Sequence, residues 1–334
     1  MENKKPPFRI TARIVDSVTA IAELVGRISS TDRLSASPTL RRTNRIRTIF
    51  GSLAIEQNTL TLEQVTAVIN GRRVLAPPKD IKEVENAYEI YERMEELDPF
   101  SVADLLSAHG VLTRELEGES GVFRTRPVGV VDREGNILHF GTLPQYVPHL
   151  VEELFSWLRE SDLHMLIRSC VFHYELELIH PFADGNGRLG RLWHTLLLSR
   201  WNPIFAWLPI ESMIHRRQDA YYAAINASND AGESTPFIEF MLDTVRASLT
   251  EIVEADVGAG NGKDRRLQER YRIIEEFLQT NVYITNADVR RLICASPATA
   301  NRVLAALVKA GMLERIRVGA HWAYRLCAFG AEQA

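Results

Sequence analysis

Apolar side chains recur at helical spacing on both sides of a short polar segment, residues 180–191. On its N-terminal side, the periodic positions predict a buried helix: Leu163, Leu166, Ile167, Cys170, Val171, Tyr174, Leu178 and Ile179. Pro181 cannot extend this helix, because proline lacks an amide hydrogen and disfavours helical geometry in the residue before it. A second helix is predicted to start near Gly187 and to run through Leu197. The polar segment therefore joins two helices, with His180 at the end of the first.

Two other stretches show strand patterns. Short β-prone runs at 121–124, 128–131 and 137–140, with a polar turn at 132–136, predict a β-hairpin. Near the C-terminus the pattern predicts three helices and a second hairpin. The first helix covers about 267–278, the second is capped by Thr285, and the third opens at Ser296-Pro297 and ends at Gly311. The strands of that hairpin are 313–318 and 322–326, joined over Gly319-Ala320. The chain is therefore expected to be mainly α-helical.

Composition narrows the class of protein. The chain has 334 residues, of which 46% are hydrophobic and 25% charged, with a net charge of −4, as in a soluble protein of two or three domains. No run approaches the ~18 apolar residues of a membrane span, and the first residues lack an apolar signal core. Three scattered cysteines form no disulfide framework. We therefore expect a cytoplasmic protein that does not enter a membrane.

The polar segment carries residues that suit phosphate chemistry. Gly185 and Gly187 permit positive φ, so that neighbouring amides can converge on an anion, and the following helix N-terminus attracts phosphate. Arg188 and Arg191 lie one turn apart on the same face, and each offers a planar fork for phosphate oxygens. Asp184 suits Mg²⁺, which bridges carboxylates to phosphates. His180 can accept a proton from a hydroxyl near neutral pH. The alternative is a plain helix-loop-helix corner.

The same residues resemble the signature of the Fic family, His-x-Phe-x-Asp/Glu-Gly-Asn-Gly-Arg-x-x-Arg, at every defining position. Most Fic enzymes transfer AMP from ATP to a hydroxyl of a target protein. The resemblance implies that His180 is the general base and Asp184 the Mg²⁺ ligand. It implies that Gly185, Asn186 and Gly187 orient the α-phosphate. Arg188 and Arg191 would hold the outer phosphates and stabilise the departing pyrophosphate.

The resemblance also extends to two further segments. The predicted hairpin is similar to the Fic flap, which is thought to align a target segment by strand addition; its docking residues would be Val128, Val130, Ile137 and His139. Alternatively, the hairpin only packs on the helices. Residues 221–226 resemble a segment near the adenine, which implies base contacts from Tyr221, Tyr222 and Asn226. A tyrosine pair on an amphipathic helix is as often part of the core.

Residues 52–58 resemble the inhibitory helix of many Fic proteins, Ser/Thr-x-x-x-Glu-Gly/Asn. Ser52 and Glu56 match, and the resemblance implies that Glu56 pairs with Arg191 and blocks the productive pose of ATP. Gln57 departs from the Gly/Asn that ends this helix, although Asn58 could serve one place later. A solvated carboxylate at a helix end is the alternative for Glu56. Some relatives also remove AMP with the equivalent glutamate, so the direction of reaction stays open.

The expected organisation is a Fic-type helical core with a β-hairpin flap and a C-terminal winged-helix domain. The expected regions are a helical part with the inhibitory helix (1–95), the catalytic core (96–255), a glycine-rich linker (256–263) and a winged helix-turn-helix domain (264–330).

The C-terminal region holds eleven basic and six acidic residues between 264 and 327, a net charge of +5. In a winged helix that binds DNA, Thr299, Asn301 and Arg302 would meet bases, and Arg315 and Arg317 would meet phosphates. Winged helices also mediate protein contacts or dimers.

These patterns together predict an enzyme that moves AMP from Mg-ATP to a Ser, Thr or Tyr hydroxyl of a protein and is autoinhibited by Glu56. The alternatives are removal of AMP through Glu56, and a DNA-binding regulator whose Fic domain senses nucleotide. A homodimer is a further expected partnership.

Overall fold

The computed structural model of the chain describes residues 5–29, 37–131, 137–258, 262–319 and 321–327. The chain divides into two compact units, Met1–Val253 and Glu254–Ala334. The larger unit is helical with one small hairpin, and the smaller unit combines helices with a second hairpin. The fold is therefore mainly α, as the sequence predicts.

The helices and strands of the larger unit follow one another with short connections. In chain order they are α1 (Ala12–Ser29), α2 (Pro38–Ile55), α3 (Leu62–Ile69), α4 (Pro78–Glu92), α5 (Val102–Leu112), β1 (Gly129–Val131), β2 (Ile137–Phe140), α6 (Val147–Glu160), α7 (Met165–Ile179), α8 (Asn186–Trp201), α9 (Ile210–Arg216), α10 (Gln218–Ala231) and α11 (Thr235–Gly258). Short 3-10 turns occur at Met94–Glu96, Pro144–Tyr146 and Pro203–Trp207.

Helices α7 and α8 form the centre of the larger unit. Both are buried on nearly every side, which explains why their apolar residues do not fall on one stripe. Trp193 of α8 is fully buried, and its indole nitrogen donates to the carbonyl of Pro99 at 3.1 Å. Among the described residues, no helix combines the length and the apolar character that crossing a membrane requires. Because α7 and α8 are both enclosed by the rest of the unit, the segment that joins them is held in place at both of its ends.

The start of the chain is fastened to α11. The amide of Ser234 donates to the carbonyl of Pro7 at 2.9 Å, and the amide of Arg9 donates to the hydroxyl of Thr235 at 2.8 Å. One turn further on, the hydroxyl of Thr11 donates to Glu239 at 2.7 Å. These bonds span more than 220 positions of sequence and close the helical unit around its core.

The hairpin is shorter than the sequence predicts. Strand β1 pairs with β2 in antiparallel register, with Gly129 opposite Phe140 and Val130 opposite His139, and a bulge follows at Val131. The predicted turn at 132–136 lies outside the described residues. Residues 121–124 are not a strand; Gly121 takes φ 76° in a turn, and Arg124 after it is buried.

The smaller unit contains three helices and a hairpin. These are α12 (Gly262–Thr280), α13 (Asn286–Leu292), α14 (Pro297–Lys309), β3 (Leu313–Val318) and β4 (His321–Leu326). A separate apolar core is formed by residues of all three helices and both strands, including Ile274, Val289, Leu304 and Leu313. Residue Ala320 of the predicted turn lies outside the described residues, and Gly319 before it has φ 60°.

Local sequence signals set the helix ends of this unit. Thr285 and Asp288 form a reciprocal capping box at the start of α13. Ser296 caps α14 by accepting a hydrogen bond from the amide of Thr299, and Pro297 occupies the first helical position. Gly311 takes φ 69° just after α14, as a helix-ending glycine does. The ends predicted at Thr285, Ser296-Pro297 and Gly311 are confirmed. The helix predicted at about 267–278 extends further at both ends.

The predicted linker is partly helical. Residues 256–258 continue α11 and residues 262–263 begin α12, whereas 259–261 lie outside the described residues. A glycine in a helix costs only about 1 kcal/mol relative to alanine, so that glycine-rich sequence does not by itself exclude helix. The expected linker at 256–263 therefore overlaps the end of α11 and the start of α12.

A glycine determines how closely α2 approaches α9. A Cβ atom at Gly51 would lie 2.6 Å from the backbone nitrogen of Ser212, which is too close for any side chain. We expect Gly51→Ala to lower the free energy of unfolding of the larger unit by about 1–3 kcal/mol, because the helices must separate. Gly26→Ala is the matched control, since a Cβ there meets nothing within 4 Å and alanine favours helix by up to about 1 kcal/mol. Denaturant melts that rank the two variants in the opposite order would contradict this contact.

Candidate active site

His180 lies at the point where α7 ends. Its backbone is left-handed, with φ 52°, and its amide still bonds to the carbonyl of Leu176 at 3.0 Å. The ring nitrogen Nδ1 is 3.3 Å from the carbonyl oxygen of Glu177. Because a carbonyl only accepts, Nδ1 carries the hydrogen in the neutral ring and Nε2 carries the lone pair. The imidazole is therefore held in the tautomer that a general base requires.

Arg124 holds the end of α7, and the sequence analysis missed it. Its guanidinium donates to the carbonyl of His180 at 2.7 Å, to that of Arg126 at 3.0 Å, and also to the carbonyl of Thr142. The side chain is buried, and burial lowers the pKa of Arg124. A helix end leaves carbonyls without partners, and a buried guanidinium satisfies several at once. The same side chain thus joins His180 to the base of the hairpin.

The loop after His180 is braced by its own side chains. Gly185 takes φ 80° and its amide donates to Asp184 Oδ1 at 2.6 Å. The side chain of Asn186 is buried, accepts from the amide of Phe182 and donates to its carbonyl, both at 2.9 Å. Asn186 therefore fixes the shape of the loop, and its phosphate role remains a prediction. Gly187 is helical, so that the predicted positive φ there is wrong.

His109 of α5 is a second residue that the sequence analysis missed. Its ring stacks on Phe182, with centroids 3.8 Å apart. Nδ1 accepts from the amide of Gly121 at 2.9 Å, so that Nε2 donates to the carbonyl of Asp184, also at 2.9 Å. Burial, with a smaller contribution from the nearby Arg188 charge, lowers the pKa of His109 to about 4, although Asp184 opposes the shift. The ring is thus neutral at pH 7 and holds the loop from behind.

Asp184 and Arg188 lie side by side at the start of α8. Asp184 Oδ2 is 3.2 Å from Arg188 Nη2, and the Asp184 side chain is 39% exposed whereas that of Arg188 is 4% exposed. Within the described residues, no group of three or more His, Cys, Asp or Glu could hold a metal. A single accessible carboxylate fits Mg²⁺, which takes one or two carboxylates and keeps its other positions for water and phosphates.

Arg191 is the most enclosed charge of the site, with 1% of its side chain exposed. Glu56 Oε1 lies 2.8 Å from its Nη2, and Ser52 receives hydrogen bonds from Nε at its hydroxyl and from Nη2 at its carbonyl, at 3.2 and 3.0 Å. Burial is the largest single influence and lowers the pKa of Arg191, but the attraction of Glu56, Tyr221 and Glu177 together raises this pKa above its ordinary value. A Cβ at Gly187 would collide with Glu56 and Arg191, so that glycine allows this ion pair.

Gln57 occupies the position where the family pattern has Gly or Asn, and the structure shows how α2 ends there. Gln57 itself adopts the left-handed conformation, with φ 65°, and its amide donates to the carbonyl of Ala54. A non-glycine residue pays about 1–2 kcal/mol for this geometry. Asn58 is therefore not the left-handed residue, although its amide caps the helix by donating to Leu53 O at 3.1 Å. Gln218 of α10 also donates to Ile55 O, at 2.9 Å.

The remaining predicted contacts fall in two groups. Tyr221 is 2% exposed and its hydroxyl lies 3.2 Å from His173 Nε2, so that it packs in the core, as the alternative to an adenine contact expects, and the adenine contact itself stays a prediction. Tyr222 and Asn226 are half-buried on the same helix, where a ligand could still reach them. Val128 precedes β1, and the backbones of the other flap residues lie in the paired strands.

The geometry agrees with comparisons to known proteins. The Fic/DOC family model matches residues 99–198, which include α5, the hairpin, α7 and most of α8. A crystal structure of a Fic family protein from Desulfovibrio desulfuricans is 40% identical, covers 98% of this chain and 100% of that one, and has a TM-score of 0.74. The chain belongs to the Fic family.

Curated Fic relatives are more distant. Protein adenylyltransferase fic-1 of Caenorhabditis elegans is 29% identical over 222 residues, which are 62% of this chain and 41% of that protein. The Drosophila melanogaster protein adenylyltransferase Fic is 28% identical over 60% of this chain and 40% of its own. The chain thus spans about two fifths of the length of these curated relatives. A structure of C. elegans Fic-1 has the same fold, with a TM-score of 0.61 at 22% identity, covering 75% of this chain and 74% of that one.

The buried neutral state of His109 predicts a pH dependence of stability. The unfolded chain binds a proton below about pH 6.5, whereas folded His109 does so only near 4, so that stability falls as pH decreases through this window. Between pH 7.5 and pH 5, His109 should account for a loss of about 2 kcal/mol in the free energy of unfolding. His109→Gln keeps a donor and an acceptor without titrating, and should show a loss smaller by that amount. His149→Gln, at an exposed position of α6, is the control; an equal pH dependence in both variants would contradict this role of His109.

Proposed function

We propose that this Fic protein is a protein adenylyltransferase, which moves AMP from ATP to a Ser, Thr or Tyr hydroxyl of a target protein. The observation that carries the proposal is the carboxylate of Glu56, which lies on Arg191 beside Gly187. An anion already occupies the cationic end of the signature loop, and His180 lies at the other end of that loop. The curated relatives are protein adenylyltransferases by name, which supports the same activity.

The residues divide the reaction between them. Nε2 of His180 takes the proton from the hydroxyl of the target side chain. The hydroxyl oxygen then bonds to the α-phosphorus of ATP, and the bond from that phosphorus to the pyrophosphate oxygen breaks. Arg188 and Arg191 bind the outer phosphates and stabilise the negative charge of the leaving pyrophosphate. Mg²⁺ bound at Asp184 would neutralise phosphate charge. The braced loop supplies position, because its hydrogen bonds are formed before substrate arrives.

The same contacts support autoinhibition. Nη2 of Arg191 already donates one hydrogen to Glu56 and the other to the carbonyl of Ser52, so that ATP must displace the carboxylate before a phosphate oxygen can take its place on this nitrogen. Ser52 keeps α2 in place by accepting from the same guanidinium. We infer that Glu56 lowers the population of the productive complex, and that movement of α2 restores it.

Labelling with ATP that carries the isotope on its α-phosphate tests both parts. With Mg²⁺, we expect weak self-labelling in the parent, labelling about 10- to 100-fold stronger in Glu56→Gly and Glu56→Gln, and none in His180→Ala. Glu63→Gln, at an exposed position of α3, is the charge-matched control. Equal labelling of the parent and both Glu56 variants would exclude the inhibitory role. Absence of label in every variant, with ATP bound, would exclude the transfer activity.

We further propose that the smaller unit is a winged helix that binds DNA. The observation that favours nucleic acid is Trp322, which is 49% exposed and lies under the guanidinium groups of Arg315 and Arg317, at 3.7 and 5.5 Å from its ring. These three residues share one face of the hairpin because Arg317 pairs with Trp322 and residues 315 and 317 alternate with 316. On α14, Asn301 and Arg302 are exposed.

Binding of the full chain to a duplex DNA library at two salt concentrations tests this interface. We expect Arg317→Gln to weaken binding and to reduce the salt slope by about 1, as for the loss of one phosphate contact. Arg325→Gln removes the same charge from the opposite face, where Arg325 pairs with Glu314, and should leave binding nearly unchanged. Equal weakening by both variants, or no binding at low salt, would contradict the proposal.

A further inference from the structure

A buried carboxylate outside the signature connects two parts of the site. Glu83 lies on α4 with 8% of its side chain exposed. One of its oxygens is 3.4 Å from Arg188 Nη1, and the other accepts a hydrogen bond from Asn58 Nδ2 at 2.8 Å. Glu83 therefore contacts both Arg188, the first arginine of the signature, and Asn58. Asn58 follows two positions after Glu56, the residue at which α2 ends.

Asn58 fastens the end of α2 to α4. Besides its bond to Glu83, its side-chain nitrogen donates to the carbonyl of Asp80 at 3.1 Å, and its side-chain oxygen accepts from the amide of Leu60 at 3.1 Å. Its backbone amide caps α2 through Leu53 O. The side-chain nitrogen, the side-chain oxygen and the backbone amide of Asn58 therefore all form hydrogen bonds. The end of α2 can move away from α4 only when the two bonds from the side-chain nitrogen break.

Arg188 depends on Glu83 for its position. Its guanidinium lies between Glu83 and Asp184, and its Nε has no hydrogen-bond partner among the described residues. Asp184 is the more exposed of the two carboxylates and is the one proposed to turn to Mg²⁺. Glu83 would then be the remaining carboxylate beside a buried cation, which is strongly destabilised when it loses its counter-charge.

We propose that Glu83 is a positioning residue, which aims Arg188 at the phosphates and, through Asn58, links the seating of α2 to that arginine. This inference rests on the proposed function and adds a second connection between the inhibitory helix and the signature. Glu56 acts on Arg191 by occupying it, whereas Asn58 acts through Glu83 on Arg188. Release of α2 therefore changes the surroundings of both arginines.

The positioning role is tested in the Glu56→Gly background, where the inhibitory carboxylate is absent. We expect Glu83→Gln to raise KM for ATP about 10-fold or more, because Arg188 loses the charged partner that aims it at the phosphates, and to lower kcat as well, because Arg188 also stabilises the leaving pyrophosphate. A variant that was only less well folded would lose kcat at unchanged KM. Glu85→Gln, an exposed residue two positions along α4, is the matched control. An unchanged KM for ATP in Glu83→Gln would overturn the positioning role.

The link to α2 is tested by exchanging donor and acceptor. Asn58→Asp places a carboxylate against Glu83, and we expect the amides of residues 52–58 to exchange their hydrogen about 10-fold faster. Adding Glu83→Gln restores the bond between these two side chains with reversed polarity, whereas the bond to the carbonyl of Asp80 stays lost, so that exchange should slow at least about threefold relative to Asn58→Asp without returning fully to the parent rate. Asn70→Asp makes the same change at an exposed helix end and should leave residues 52–58 unaffected. Failure of the double variant to recover would overturn the link.

The two proposals fail in distinguishable ways. If Glu56→Gly labels no protein, the transferase proposal is lost, whereas hydrogen exchange of the Asn58 and Glu83 variants and calorimetric titration with Mg-ATP still decide the role of Glu83. If Glu56→Gly labels protein and Glu83→Gln changes neither KM nor exchange, the transferase proposal stands and the role of Glu83 is refuted.

Discussion

A guanidinium without access to water governs this site. Arg191 lies in the buried helix α8 with 1% of its side chain exposed, and an isolated buried charge is too costly to persist. Its partners come from α2, more than 130 positions earlier, as a hydroxyl, a carbonyl and a carboxylate. The need to satisfy one cation therefore fixes the end of α2 against α8, which carries the signature arginines. Any anion that competes for this guanidinium competes with the seating of α2.

Around that cation, the loop owes its shape to contacts that do not involve substrate. Asn186 returns both ends of its amide to Phe182, His109 holds the carbonyl of Asp184, and Arg124 gathers the carbonyls at the end of α7. Charged and polar groups that are fixed in advance need little reorganisation when charge develops on a reacting phosphate. The loop is thus fixed by its own hydrogen bonds, whereas the movement that the proposed autoinhibition requires falls on α2, in a different part of the same site.

Features that depend on neighbours in sequence, such as helix ends, could be predicted from the sequence. Hydrogen bonds between polar groups far apart in the chain could not. The helix ends at Thr285 and Ser296, and the bend after His180, follow from neighbours within a few positions. Arg124 lies 56 positions before the carbonyl that it binds, and no spacing rule reveals such a pair. The sequence could not decide between a ligand contact and a core position for Tyr221, because burial depends on what packs against a helix and not on its own pattern. Within the site, the signature residues were therefore predictable and their supports were not.

The missing side chain at Gly187 leaves room for either of two anions. The space beside its Cα is where the Glu56 carboxylate lies and is also the space proposed for a phosphate oxygen. A methyl group there would collide with the ends of two flexible side chains, the Glu56 carboxylate and the Arg191 guanidinium. Substitution of this glycine would therefore disturb the ion pair and the proposed nucleotide position together, whereas a change within α2 could alter the first and spare the second.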